Sequence, residues 1–211
     1  MDWNQLESEI KELFRGDASG HDAAHTMRVT NLARMIARRE GADEELCRLA
    51  ALLHDVDDWK LVGGSMGQST RARALMDSHH VGNDTQKLVV EIIASVSFMG
   101  TDSVVPRTLE GKVVQDADRL DAIGAIGVAR AFAYGGAHGR VMYDPEIPPR
   151  LDMDEKAYMA NRGTTINHFY EKLLLLEGMM QTAAGKEIAA SRHAYLKAFL
   201  EEFLLEWQGN R

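Results

Sequence analysis

No proline occurs before Pro106, and three of the four prolines fall within YDPEIPPRLD at Pro145, Pro148 and Pro149. Proline removes a backbone donor and clashes with the preceding turn, so its absence leaves most of the chain open to uninterrupted helix. The apolar residues use that freedom. They recur at steps of three and four: Trp3, Leu6, Ile10 and Leu13; Val29, Leu32 and Ile36; Leu46, Leu49 and Leu53; Leu88, Ile92 and Val96. The pattern continues through Leu109, Val113 and Leu120, then Ile166, Phe169, Leu173 and Leu176, and ends with Tyr195, Phe199, Phe203 and Trp207. This is the period of amphipathic helices, and no alternating strand pattern competes with it. The expected fold class is all-α.

Glycine and small polar residues collect at RGDASG, VGGSMG and VGND and between Gly135 and Arg150, which marks loops. The stretch at about 135–162, with GGAHGR and the proline cluster, exceeds an ordinary connection and is expected to be a loop or a lid over a site. No repeat or linker divides the 211 residues, so a single domain over 1–211 is expected. Asp and Glu outnumber Lys and Arg by 32 to 24, a formal charge of −8. That balance opposes binding to nucleic-acid polymers or anionic membranes. An anionic substrate must then be small and meet a local cationic site. Cys47 is the one cysteine, which excludes an internal disulfide and a thiolate zinc site. The N-terminus carries early acids instead of a basic region followed by an apolar run, and no uncharged run approaches the length of a membrane span. A reducing, cytoplasmic setting is expected.

Three of the expected helices carry polar residues on their apolar faces. His25 stands four residues before Val29, and Asp116 lies between Val113 and Leu120. In AALLHDVDD, His54 and Asp55 follow Leu53, with Asp58 four positions after His54. A buried carboxylate without a partner costs several kcal/mol, so these groups require a cation, a hydrogen-bond cluster or a metal. His25, His54, Asp55 and Asp116 supply nitrogen and oxygen donors without sulfur. Such a set suits Mn²⁺, Fe²⁺, Co²⁺ or Mg²⁺ with open positions better than a closed structural zinc site.

The segments HDAAHTMRVTNLA, AALLHDVDD and VVQDADRLDAIGAIGVARAFAYGG, with TTINHFYEKLLLL further on, resemble the HD-domain metal-dependent phosphohydrolases. The resemblance runs from about residue 20 to 207 and implies an all-α helical bundle. It also implies one divalent ion, Mn²⁺ first and Mg²⁺, Co²⁺, Fe²⁺ or Ni²⁺ otherwise, held by His25, His54, Asp55 and Asp116. Asp58 then stands where related hydrolases place the acid that orients or deprotonates the nucleophile, with Asp57 the less favoured choice. HDAAH also has the histidine spacing of the HExxH zinc proteases, but Asp22 is a methylene shorter than the required Glu and fits a helix N-cap better.

Cationic partners for phosphate are expected among Lys60, Arg28, Lys112 and Arg119, with His168 and Lys172 closing one side of the pocket. Arg119 has the alternative of pairing with Asp118 or Asp121. The subgroup resemblance favours nucleotide pyrophosphohydrolysis, a nucleoside triphosphate giving a monophosphate and pyrophosphate, in a monomer or homodimer. Alternatives within the fold are a nucleoside monophosphate phosphatase and a cyclic-nucleotide or guanosine polyphosphate hydrolase. The alternative of another class is a non-catalytic metal- or ligand-binding regulator.

Overall fold

The computed structural model describes residues 1–15, 22–57 and 69–210. Among the described residues every regular element is helical: α1 (Trp3–Leu13), α2 (Ala23–Glu40), α3 (Glu44–Leu53), α4 (Thr70–Ser78), α5 (Asn83–Ile93), α6 (Leu109–Asp121), α7 (Gly124–Ala137), α8 (Glu155–Ala160), α9 (Thr165–Glu171) and α10 (Ala183–Trp207). Short 3₁₀ turns cover Gly100–Asp102 and Leu173–Met179. No helix among these is long and apolar enough to cross a membrane.

Capping residues explain where the helices begin. Asp2, Asp22, Asp43, Asp154, Thr164 and Thr182 each accept a hydrogen bond from a first-turn amide of α1, α2, α3, α8, α9 and α10. Each such cap stabilises its helix by about 1 kcal/mol. Gly41, in the left-handed region at φ 73°, ends α2.

The chain divides into two compact units, and α6 belongs to the first of them through Asp118 and to the second from Arg119. In the first unit α2 packs most extensively on α3, and α3 packs on α5. Ile10, Val29, Ile36, Leu49, Leu52, Leu53, Val89, Ile92 and Val113 are buried there, each contributing about 1.5–3 kcal/mol. Helix α4 begins differently from the helices with local caps. Ser69 at its N-cap sits at φ 44° and makes no capping bond. Instead Asp57 reaches across the sequence, accepting from Arg71 N and Ala72 N at 2.9 Å each. Asp57→Ala removes both acceptors and is expected to destabilise the protein by about 1–2 kcal/mol, readable as a lower denaturation midpoint with an unchanged m-value.

In the second unit α7 and α10 pack together, with a layer of aromatic rings between Phe132, Phe169, Phe199 and Phe203. Within the stretch expected as loop or lid, α7 extends to Ala137 and α8 forms at Glu155, leaving irregular backbone at 138–154. That backbone is held by α9. Val141 O and Met142 O accept from Thr165 N and Ile166 N, both at 3.0 Å, and Ile147 O accepts from Asn167 Nδ2 at 2.8 Å. Glu171, buried, accepts from Arg150 N at 3.0 Å and from Asn161 Nδ2 at 2.6 Å. Gly100, at φ 60°, anchors the far end: a Cβ there would stand 2.0 Å from Met153 O, so no other residue fits.

Candidate metal centre

Helix α2 carries His25 on its first turn because Asp22 caps it, accepting from His25 N at 2.8 Å. That bond gives Asp22 the N-cap role expected for it and spends its carboxylate on the helix start. The protease reading also needs His21, which lies outside the described residues. Helix α3 ends at Leu53, so His54 and Asp55 fall where the backbone leaves the helix. His54 Nδ1 lies 2.8 Å from Ala51 O. A carbonyl can only accept, so Nδ1 carries the proton and Nε2 presents its lone pair.

Donor atoms of His25, His54 and Asp55 lie within 4.8 Å of one another. Asp55 Oδ2 stands 3.3 Å from both His25 Nε2 and His54 Nε2. The rings meet edge to face, with centroids 5.3 Å apart. Asp118 Oδ1 completes the cluster, 3.5 Å from His25 Nε2 and 3.7 Å from His54 Nε2. These contacts bring to the rings Asp118, which the expected ligand set left out in favour of Asp116. Residues two apart on a helix are about 200° apart around its axis, so Asp116 and Asp118 start from different faces of α6. Asp116 is fully buried on α6.

The chemistry of these residues fits a divalent ion. His54 Nε2 is buried and makes no hydrogen bond of good geometry, although two carboxylates surround it. Ligands at about 2.1 Å from one ion stand about 3.0–3.4 Å from one another, close to the separations found here. Burial alone pushes the His54 imidazole down, but the charges of Asp55 and Asp118 outweigh it and lift it to about 9.

The other expected site residues divide. Asp58 and Lys60 lie outside the described residues. Arg28 is three residues after His25 on α2 and therefore on nearly the same side of that helix. Lys112, six residues before Asp118, falls about 120° around α6 from it. Arg119 is buried in the second unit and donates to Met179 O at 2.6 Å, a bond that ties α6 to the 3₁₀ turn. Asp121 pairs with Arg130 at 2.8 Å. Asp57, the second choice for a base, has both oxygens occupied by the α4 cap.

His168 and Lys172 stand together on α9 in the second unit. Burial, with Lys172 and Arg140 nearby, pushes the His168 imidazole down to about 3. Its folded value lies below the ordinary 6.5 of the unfolded chain, so the stabilisation is full above pH 6.5 and fades as the pH falls toward 3. The slope is at most about 1.4 kcal/mol per pH unit, an upper bound because the ring keeps some solvent contact. His168→Asn is expected to flatten the fall in melting temperature between pH 7 and pH 5. Equal slopes in the two proteins would contradict a neutral His168.

Comparisons with known proteins place this cluster in a family. The model for the HD domain matches residues 22–123, the span that contains His25, His54, Asp55 and Asp118. A crystal structure from Lactobacillus plantarum is 40% identical, covers 99% of each chain and superposes with a TM-score of 0.88. An HD-superfamily hydrolase from Bacillus thuringiensis is 42% identical over 97% of this chain and 96% of its own, with a TM-score of 0.74. YpgQ of Bacillus subtilis, an uncharacterized protein, is 36% identical over 94% of this chain and 90% of its own. A crystal structure of YpgQ in complex with ADP covers 95% of this chain and 94% of its own at 32% identity, with a TM-score of 0.73. The all-helical fold, the histidine–aspartate cluster and these matches together make the chain a member of the HD-domain superfamily of metal-dependent phosphohydrolases.

Proposed function

We propose that the protein is a nucleotide pyrophosphohydrolase, converting a nucleoside triphosphate to the monophosphate and pyrophosphate with one divalent ion, Mn²⁺ before Mg²⁺, Co²⁺, Fe²⁺ or Ni²⁺. The observation that carries the nucleotide class is the ADP bound by YpgQ, whose chain this one matches along nearly its whole length. His25, His54, Asp55 and Asp118 are the residues that would hold the ion. When bound, such an ion supplies Lewis acidity and neutralises charge on phosphoryl oxygens.

The protein's own part is to orient water and take its proton. Asp58 is the acid assigned to that step, because Asp57 is committed to the cap of α4. Water attacks the α-phosphorus, the bond from that phosphorus to its bridging oxygen breaks, the proton passes to the Asp58 carboxylate, and pyrophosphate leaves with the bond's electrons. Arg28 and Lys60 are the cations assigned to the phosphate chain, and Lys112 is a weaker candidate given its position on α6. A chain of net charge −8 suits a small phosphorylated substrate and disfavours a nucleic-acid polymer.

A panel of nucleoside mono-, di- and triphosphates, cyclic nucleotides and guanosine polyphosphates with each metal, resolving phosphate from pyrophosphate, tests the proposal. Pyrophosphate from triphosphates is the expected product. Orthophosphate from monophosphates would move the activity to a phosphatase, and no turnover with any metal would favour a binding protein.

A further inference from the structure

At the end of α6 three successive residues, Arg119, Leu120 and Asp121, are each held by a bond from an arginine. Arg119 Nη1 donates to Met179 O at 2.6 Å. Leu120 O accepts from Arg192 Nη1, on α10, at 2.5 Å. Asp121 Oδ2 accepts from Arg130 Nη1, on α7, at 2.8 Å, in a pair that is almost wholly buried. Two of these bonds answer needs of a helix C-terminus. The last four carbonyls of an α-helix have no partner within it, and a negative charge there opposes the helix dipole. Arg192 satisfies one such carbonyl, and Arg130 balances the charge of Asp121. Gly124, at φ 78°, makes room for the first of these: a Cβ there would stand 3.0 Å from Arg192 Cγ and 3.2 Å from its Cβ. The arginine stem thus lies against the turn that joins α6 to α7.

We propose that Arg119, Arg130 and Arg192 are positioning residues for the metal centre, a clamp on the last turn of α6 that fixes the rotation of the helix and with it the place of Asp118. The inference rests on the reading of Asp118 as a metal ligand. Asp118 is the residue immediately before the clamped three and belongs to the same unbroken helix. A side-chain oxygen stands about 5–6 Å from the axis of its helix, so rotating α6 by about 10° carries the carboxylate about 1 Å. That is several times the roughly 0.2 Å that a metal–ligand distance tolerates. Apolar packing is non-directional and resists such a rotation weakly, whereas charge-assisted hydrogen bonds are directional and resist it well. A guanidinium has no acceptor atom and is not itself a ligand, so the three arginines act on the ion only through the backbone and side chains of α6.

Isothermal titration of the full chain with Mn²⁺, normalised to the folded fraction, tests the clamp without any substrate, so a failed nucleotide screen does not bear on its outcome. Arg192→Met keeps an apolar stem against Gly124 and removes the donor to Leu120 O. It is expected to weaken Mn²⁺ binding about tenfold, the lower end of the range for groups that orient ligands. Arg192→Lys retains a donor and is expected to stay within about threefold. Asp121→Asn keeps the shape of the side chain and weakens only its pair with Arg130, so it folds where a harsher change fails, and a loss of about threefold to tenfold is expected. Glu171→Gln is the control, since it loosens the second unit at Arg150 N and Asn161 without touching α6. It is expected to lower the melting temperature and leave Mn²⁺ affinity unchanged. Wild-type affinity in both Arg192→Met and Asp121→Asn overturns the clamp while the metal centre stands. An equal loss in Glu171→Gln would trace the effect to general destabilisation and overturn it as well. A wild-type chain that binds no Mn²⁺ removes the metal centre itself, and the clamp with it.

Discussion

Asp118→Asn is expected to lose its metal, while Asp116→Asn keeps it. Asp118 Oδ1 lies 3.5 and 3.7 Å from the two ring nitrogens, and Asp116, two residues earlier, starts from a different face of the same helix. Asn in place of a ligating Asp withdraws one negative charge and the stronger of two possible oxygen donors. Changes outside a coordination sphere already cost about 10–100-fold in affinity, so loss of a ligand is expected to exceed about a hundredfold. Metal-linked stabilisation follows the same order. At a metal concentration about a hundred times the dissociation constant, the wild type gains about 2.7 kcal/mol, which disappears in Asp118→Asn. Elemental analysis and melting curves with and without Mn²⁺ measure both quantities. Full occupancy in Asp118→Asn with loss in Asp116→Asn would return the ligand role to Asp116.

These two aspartates show what a periodic pattern reveals. Asp116 lies on the apolar stripe of Val113 and Leu120, which marks burial, and it is indeed fully buried. A ligand has a different requirement, since it must meet a pocket that admits solvent and substrate. The Asp118 side chain is 26% exposed, at the margin of the packed face. Val114, Gln115, Ala117, Arg119 and Asp121 are buried too, so α6 is enclosed on most sides and its stripe cannot single out one inward direction. His25 and the His54–Asp55 pair were legible because each stands alone at the end of an apolar run.

The same logic covers the helices. Leu6, Ile10, Val29 and Ile36 occupy the core as their spacing implies. On α5, Leu88 is 42% exposed and Val89 is buried in its place, a shift of one residue that the neighbouring apolar pair could not resolve. On α10 the stripe of Phe199, Phe203 and Trp207 is an edge of rings in contact, Tyr195 is exposed, and Leu196 and Leu200 hold the centre. Glu171 left no signal at all. A buried carboxylate that collects an amide and an asparagine from distant loops depends on tertiary contacts that spacing does not encode.

Asp58→Asn is expected to retain metal and fold while kcat falls by about a hundredfold to ten-thousandfold, the range for loss of a general base. The structure sharpens the reason. What favours Asp58 is the fate of its neighbour: both oxygens of Asp57 accept backbone amides of α4 and are committed to that cap. Asn at 58 keeps the shape and one acceptor but cannot hold the proton released by water. Substrate affinity is therefore expected to change far less than turnover. The matched variant Asp57→Asn is expected to behave in the opposite way, losing stability through the weakened cap and keeping most of its turnover per folded molecule. Metal content, melting temperature and single-turnover rate measured on the same preparations separate the two. Wild-type turnover in Asp58→Asn with a large kinetic loss in stable Asp57→Asn would transfer the base role to Asp57.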